Sequence, residues 1–313
     1  MEYLLLLLGF ALLIFSGRIL IRNAVAVAHR FRLSPFVIGL TVVAIGTSAP
    51  ELLVSLSGAL KGHTDVAVYN VIGSNISNIL LVLAVAAIIL PIPVRKLALY
   101  LDWPAMMLLS IIAFLFILDL NLSRWEGVIL IVLLVSFVTY SIYRSGKDSA
   151  DDLKEEILQR SVPLAVVLIL VSSGGLALGA DILVDNAVVV ARNFQISERI
   201  ISVSLISVGT SIPELTTSAI AAFRKQTDIS IGNIIGSNIF NIGFVLGITS
   251  LVSPMKINPL IMSFDIYWFL GAGLFLILIM ILPVKRELQR WKGITMLSVY
   301  LIYLYFVIGH NAS

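Results

Sequence analysis

An internal duplication constrains the fold of this chain more than any other feature of its sequence. The stretch AIGTSAPELLVS begins at Ala44, and the similar stretch SVGTSIPELTTS begins at Ser207. A second pair of motifs follows, with NVIGSNISNI starting at Asn70 and NIIGSNIFNI starting at Asn233. Both pairs are separated by 163 residues. A constant offset over two motifs indicates that the chain contains two copies of one structural unit.

The composition places both copies in a membrane. Hydrophobic residues make up 59% of the 313 residues, and the mean hydropathy is +1.05. Only 12% of the residues are charged, against about 25% in a typical soluble domain. The chain has no cysteine, which excludes disulfides and thiolate metal sites. The first apolar stretch lacks a basic leader, so we interpret it as a spanning helix and not as a signal peptide.

Hydropathy predicts ten spanning helices, at about 20 apolar residues each. They cover roughly residues 3–27, 34–60, 65–90, 98–118, 125–143, 162–190, 197–223, 228–252, 262–283 and 293–309. Residues 1–143 form the first repeat, 144–161 a linker and 162–313 the second repeat. Because each repeat has five spans, an odd number, the second repeat enters the membrane from the opposite face. The predicted fold is therefore an all-α integral membrane protein of two inverted five-helix repeats, a plan common in secondary transporters.

The basic residues predict the orientation. Fourteen lysines and arginines fall in the loops of one face, and five fall in those of the other. Because cytoplasmic loops carry the excess of positive charge, the linker is expected in the cytoplasm and both termini outside the cell. The chain is then a multi-pass protein of the cell membrane. Arg18 and Arg22 lie within the first span, where they either reach the interface or pair within the bundle.

Two glutamates are the strongest candidates for chemistry. Glu51 and Glu214 each lie in an apolar span, where an ionisable side chain is costly and marks a functional site by default. Helical spacing places Thr47 and Ser48 on the same helix face as Glu51, and it places Ser74 and Asn78 on one face of the next helix. The second repeat has the same arrangement, with Thr210 and Ser211 beside Glu214, and Ser237 with Asn241. Carboxylate, hydroxyl and amide oxygens suit Ca2+ or Na+, and no histidine or cysteine joins them to favour zinc or copper.

Proline and small residues add three further expectations. Pro50 and Pro213 lack an N–H, which should free the backbone carbonyls of Gly46 and Gly209. Such carbonyls are tolerated at membrane depth where they line a cavity or bind a cation. Gly73 and Gly236 are expected to allow close helix packing. The remaining pair, Asn75 and Asn238, fits equally well as hydrogen-bonding links between helices or as ligands.

G-T-S-x-P-E with G-S-N-x-x-N, present twice over nearly the whole chain, resembles the Na+/Ca2+ exchangers of the Ca2+/cation antiporter superfamily. The resemblance implies ten helices, ions bound between spans 2, 3, 7 and 8, and exchange of Ca2+ for Na+ by alternating access as spans 1 and 6 slide. It implies ligation by Thr47, Ser48, Glu51, Ser74, Asn78, Thr210, Ser211, Glu214, Ser237 and Asn241, and by the carbonyls of Ala44 and Ser207. Beyond the transported ions and the lipid bilayer, we expect no prosthetic group, enzyme activity, nucleic acid or obligatory protein partner.

Two details bear on the transported ion. Some microbial relatives carry aspartate at one of the two positions that are both asparagine here, Asn78 and Asn241. This chain therefore lacks a third central carboxylate and has only those of Glu51 and Glu214. The proton-coupled branch has G-N-x-x-E in place of G-T-S-x-P-E, which favours Na+ coupling. A Ca2+/H+, another cation/proton or a K+-dependent exchanger on the same fold remains the alternative. A cation channel is less favoured because channels usually form a pore within a ring of subunits.

Overall fold

A computed structural model describes residues 2–145, 161–195, 207–283 and 286–310. Twelve helical segments and four two-residue strands occur in these ranges. The helices of the first half are α1 (Glu2–Arg30), α2 (Pro35–Thr47), α3 (Ala49–Leu60), α4 (Thr64–Ile89), α5 (Ala98–Asp119) and α6 (Arg124–Ser145). The helices of the second half are α7 (Val162–Asn193), α8 (Ser207–Gly209), α9 (Ile212–Phe223), α10 (Thr227–Val252), α11 (Ile261–Ile281) and α12 (Arg290–His310).

The predicted helices are present in the described part of the chain, with ends that move by a few residues. Seven of the helices there are long and apolar enough to cross a membrane, and the bent pair α2 and α3 raises the number to eight. The predicted helices at 34–60 and 197–223 are wrong in one respect, because they are broken at Ser48 and Ser211. Residues 197–206 of the predicted seventh helix, and the linker from residue 146 to 160, lie outside the described residues.

Proline ends the two central helices at equivalent places. Leu90 follows α4 with an extended backbone (φ −142°, ψ 129°) and precedes Pro91. Ser253 follows α10 with nearly the same conformation (φ −140°, ψ 115°) and precedes Pro254. A residue before proline is disfavoured in the helical region, which explains both helix ends.

The core lies around α4 and α10. In their most apolar windows 72% and 83% of the residues are buried, compared with 33% in α1 and 28% in α7. Helix α4 packs against α9 and α12 of the other half, and α10 packs against α2, α3 and α6. The pair α1 and α7 packs together at the periphery and contacts the core through α9 and α2.

Small residues allow the closest helix contacts, as expected. A side chain at Gly236 of α10 would collide with the backbone of Leu40 in α2. Among the described residues, Gly73 has no such neighbour within 4 Å. The residue equivalent to Leu40 in the second half is Val203, which lies outside the described residues.

Two short antiparallel strand pairs, which the sequence did not predict, join the halves. Strand β1 (Ile92–Pro93) pairs with β4 (Glu287–Leu288), and Ile92 lies opposite Leu288. Strand β2 (Asn121–Leu122) pairs with β3 (Met255–Lys256), and Asn121 lies opposite Lys256. Each pair therefore joins one loop of the first half to one loop of the second.

Candidate functional site

The site is built at a break in the helix that carries the first motif. Helices α2 and α3 meet at Ser48, whose backbone (φ −83°, ψ 4°) leaves the helical region, and their axes differ by 41°. Pro50 follows in the first turn of α3, where its missing N–H costs nothing. In the second half Ser211 has the same conformation (φ −85°, ψ 1°) between α8 and α9. The repeated G-T-S-x-P-E sequence thus produces the same break twice.

The break places both glutamates at helix N-termini. Glu51 lies in the first turn of α3 and Glu214 in the first turn of α9, so they are not in the middle of a helix as the sequence suggested. The positive end of a helix dipole stabilises a carboxylate at this position. Both side chains are 0% exposed. The hydroxyl of Ser48, three residues before Glu51, hydrogen-bonds the Glu214 carboxylate, so the two helix N-termini lie close together.

Glu214 receives hydrogen bonds from both halves of the chain. Its Oε1 accepts from the hydroxyl of Ser48 at 3.4 Å and from that of Ser237 at 3.3 Å. Ser48 belongs to the first motif, and Ser237 belongs to the companion motif of the second half. The convergence expected for the two glutamate motifs is therefore realised around this carboxylate.

Several other polar atoms of the site are buried without a hydrogen-bond partner. They are both oxygens of Glu51, Oε2 of Glu214 and the hydroxyl of Ser211. An isolated buried carboxylate is strongly unfavourable unless a positive charge compensates it. No group of three or more His, Cys, Asp or Glu side chains occurs among the described residues. The donor set is therefore two carboxylates with neutral oxygens, a composition that fits a hard cation such as Ca2+ or Na+.

The threonines of the motifs contact two asparagines that sequence reasoning did not single out as site residues. The hydroxyl of Thr47 donates to Oδ1 of Asn233 at 3.3 Å, and that of Thr210 donates to Oδ1 of Asn70 at 3.3 Å. Thr47 is fully buried, whereas Thr210 is only partly buried. Each bond crosses from one half to the other. The sequence did contain a signal for these two residues, because each asparagine is the first residue of the duplicated companion motif.

These two asparagines also fix the glutamate helices. Nδ2 of Asn70 donates to the carbonyl of Glu51 and to the hydroxyl of Ser55, each at 3.1 Å. Nδ2 of Asn233 donates to the hydroxyls of Thr217 and Ser218 at 3.1 and 3.0 Å. Each asparagine therefore connects its own glutamate helix to the threonine of the other half.

The asparagines at the end of the companion motifs begin wider helical turns. Asn78 begins a π-helical turn at Asn78–Val82, and Asn241 begins one at Asn241–Leu246. Such turns occur frequently at functional sites. Asn241 donates to Ser74 at 3.2 Å and to Oδ1 of Asn75 at 3.1 Å, whereas neither polar atom of Asn78 has a partner.

The hydrogen bonds of Asn75 and Asn238 favour a linking role. Nδ2 of Asn75 donates across the two halves to the carbonyl of Asn238 at 3.3 Å. Nδ2 of Asn238 donates to the carbonyl of Ile234 within its own helix. Its Oδ1 is buried without a partner and is the one atom of the pair that could still accept a cation.

The two expected backbone ligands are placed differently by the structure. The carbonyl of Ala44 already accepts from the N–H of Ser48 at 2.9 Å and from the hydroxyl of Thr47 at 3.4 Å. It would reach a cation only by giving up one of these bonds. Ser207 is the first residue of α8, directly after residues that are outside the described ranges, and its side chain is among those not described.

Comparison with known proteins supports the same interpretation of the motifs. A family model described as sodium/calcium exchanger protein matches residues 1–143 and 164–309. The chain is 38% identical over 317 residues to the inner membrane protein YrbG of Escherichia coli, covering 97% of this chain and 96% of the relative. It is 27% identical over 345 residues to the sodium/calcium exchanger MaX1 of Methanosarcina acetivorans, covering 97% of each protein.

A solved structure also matches over almost the full length. It is described as the sodium-calcium exchanger NCX_Mj soaked with Na+ and Ca2+. The two folds superpose with a TM-score of 0.81 at 32% sequence identity, and 97% of each chain is covered.

Proposed function

Since the chain belongs to the sodium/calcium exchanger family, we propose that it is a secondary antiporter that exchanges Ca2+ for Na+ across the cell membrane. The observation that carries this proposal is the buried pair Glu51 and Glu214, in which three of four carboxylate oxygens have no hydrogen-bond partner. Two carboxylates balance the charge of one Ca2+ ion, and neutral oxygens around them can replace its water. The family and the relatives named as exchangers support the same ions.

The proposed ligands are those that the motif positions supply. In the first half they are Glu51, Thr47, Ser48, Ser74, Asn78 and the carbonyl of Ala44. In the second half they are Glu214, Thr210, Ser211, Ser237, Asn241 and the carbonyl of Ser207. Asn70 and Asn233 position these groups through the threonines and serines that they contact. No prosthetic group is needed, because the ions are the cargo.

Burial of the site favours alternating access over a channel. With both carboxylates at 0% exposure, a cation between them reaches either face only when the surrounding helices rearrange. The two halves also bond the same motif differently, since Glu214 has partners and Glu51 has none. An inverted repeat can exchange these two bonding patterns between an outward-open and an inward-open state. The weakly buried pair α1 and α7 is the proposed moving unit.

The strand pairs support ten spans in two inverted repeats. Strand β1 follows the third predicted span, and its partner β4 follows the ninth. Strand β2 follows the fourth, and its partner β3 follows the eighth. Paired loops must lie on the same side of the membrane, so an even number of crossings must separate them. Six and four crossings satisfy this requirement if α8 with α9 crosses once, like each of the other helices between the paired loops.

Cysteine labelling tests the orientation proposed from the positive charges, with both termini outside and the linker inside. The chain has no native cysteine, so Ser149→Cys introduces one label site in the linker. We expect no reaction with an impermeant reagent in intact cells and full reaction after permeabilisation. A cysteine introduced at Ser313 serves as the matched control and should react in intact cells. Labelling of position 149 from outside would refute the orientation.

Ion flux in proteoliposomes tests the exchange reaction. We expect uptake of radioactive Ca2+ to require an outward-directed Na+ gradient and to be inhibited by external Na+. Uptake driven equally well by a pH gradient without Na+ would support the proton-coupled alternative. A requirement for K+ together with Na+ would support the K+-dependent alternative, and unitary current steps would support a channel.

A further inference from the structure

A cavity lies away from the glutamate site, where the start of α2, the start of α5 and the end of α6 meet. Its volume is about 180 Å³, and its lining includes Ser34, Val37, Lys96, Asp102 and Ser141. One water needs only roughly 15 Å³ of such space. The cavity is therefore large enough for a ligand of several atoms. Arg95 and Lys96, which belong to a loop predicted to face the cytoplasm, line it.

The inner part of the cavity is suited to a cationic hydrogen-bond donor. Asp102 and Ser141 are 2% and 3% exposed, and Oδ2 of Asp102 and the hydroxyl of Ser141 have no hydrogen-bond partner. Arg95, which also lines the cavity, forms an ion pair with Asp228. A buried carboxylate oxygen without a partner is costly, and a primary ammonium group would satisfy both atoms.

The outer part of the cavity and its neighbouring cavity are suited to an anion. Lys96 and Leu97 also line an adjacent cavity of about 260 Å³, together with Tyr100, Tyr140 and Arg144. The guanidinium of Arg144 lies 5.9 Å from the centre of the Tyr140 ring. Basic pockets between spanning helices on the positive face suit lipid phosphates, and tyrosines are common at this depth of the membrane. Lys96 is shared by the two cavities, so the anion and the ammonium of one ligand can lie side by side.

We propose that these two cavities together bind the headgroup of phosphatidylethanolamine, with its ammonium on Asp102 and Ser141 and its phosphate on Lys96 and Arg144. The shared chemistry is a phosphate joined by a short link to a primary ammonium. The second half does not repeat the site. Asn258 and Pro259 stand at the positions equivalent to Arg95 and Lys96, although Asp265 corresponds to Asp102. One lipid site per chain follows from this difference.

Lipid binding to the purified full-length chain tests the proposal. Native mass spectrometry would compare phosphatidylethanolamine, phosphatidylcholine and phosphatidylglycerol with identical acyl chains. We expect phosphatidylethanolamine to bind about tenfold tighter than phosphatidylcholine, because a charge-assisted hydrogen bond to Asp102 is lost when the ammonium is methylated. Equal binding of these two lipids, or tighter binding of phosphatidylglycerol, would overturn the proposal and indicate water, a small cation or a purely anionic lipid in the cavities.

Variants separate the two parts of the headgroup. Asp102→Asn should remove the preference for phosphatidylethanolamine over phosphatidylcholine, and Lys96→Gln should weaken binding of all three lipids. Lys61→Gln changes an exposed lysine outside the two cavities and should have no effect. If Asp102→Asn does not fold, Ser141→Ala tests the ammonium position in its place. Lys96→Gln, at an exposed position, still tests the phosphate position. Unchanged lipid preference in all these variants would refute the site.

A soluble competitor identifies the source of the headgroup. Phosphoethanolamine carries the same phosphate and ammonium but no acyl chains. We expect it not to displace the bound lipid at equal concentration. Displacement would overturn the lipid assignment and indicate a small soluble ligand.

Discussion

The two halves of the chain carry the same motifs but bond them differently. Oε1 of Glu214 accepts hydrogen bonds from Ser48 and Ser237, whereas both oxygens of Glu51 are unpartnered. The amide of Asn241 donates to two neighbours, whereas Asn78 has none. In the first half the side chains of Glu51 and Asn78 therefore lack partners entirely, whereas in the second half Glu214 and Asn241 each keep one unpartnered oxygen. A duplicated sequence does not impose duplicated bonding, because each copy has the other copy as its neighbour.

The halves differ more strongly at their peripheral helices. Arg18 and Arg22 are exposed on α1, and the equivalent exposed residues of α7 are Asp181 and Asp185. The sign of charge is therefore reversed at two positions of one outward surface. The buried site carries no such reversal, since Glu51 and Glu214 keep their identity. Charge can change sign where side chains reach water or headgroups, but it is restricted where a buried cation must be compensated.

The largest effect is expected from the two glutamates. Glu51→Gln and Glu214→Gln keep the shape of the side chain but remove one negative charge from the site. Breaking the compensation of a buried charge costs about 3–5 kcal/mol, so Ca2+ exchange should fall by roughly two to four orders of magnitude in both variants. The measurement is Na+-dependent Ca2+ uptake in proteoliposomes.

Asp119→Asn is the matched control, because it makes a similar change at the exposed end of α5 and keeps the oxygen that accepts from the backbone N–H of Asn121. It should transport normally. Near wild-type exchange in only one glutamate variant would contradict the equal roles of Glu51 and Glu214 in Ca2+ binding. It would also remove that glutamate from the proposed site.

A smaller effect is expected from the two asparagines that link the halves. Asn233 is fully buried and Asn70 is only partly buried, although each makes three side-chain hydrogen bonds to the motifs. Asn233→Ala should cost about 2–3 kcal/mol of unfolding free energy and Asn70→Ala about 1–2 kcal/mol, because water can replace partners only where it has access. Chemical denaturation in detergent measures both values. A larger loss in Asn70→Ala would contradict this order.

The smallest effect is expected from the asparagines at the π-helical turns. Asn78→Ala removes a neutral group with no hydrogen bonds and should weaken Ca2+ affinity by roughly tenfold with little change in stability. Asn241→Ala removes two hydrogen bonds and should also lower the unfolding free energy by about 1 kcal/mol. Calcium titration and thermal unfolding of the two variants separate these effects. Identical stability losses would mean that their different bonding has no energetic consequence.

The sequence by itself determined the class of the protein, the repeats and the glutamate pair. Long apolar stretches admit few structures in a membrane, since every backbone polar group must be satisfied within the segment. The constant offset located equivalent residues such as Glu51 and Glu214 without any coordinates. Both copies also carry a proline shortly after the central helices, and α4 and α10 end just before it. These properties depend on local pattern, and local pattern is visible in the chain.

Only the tertiary structure decided the bonding within the site. It showed that Ser48 and Ser211 break their helices, that Asn70 and Asn233 reach the opposite half, and that Glu51 and Asn78 are left without partners. It also placed Asp102 beside Ser141 in one cavity, although the two residues belong to different helices. The physical reason is that the two copies have nearly the same local sequence at the motifs. Their differences arise from long-range neighbours, which become adjacent only when the helices pack.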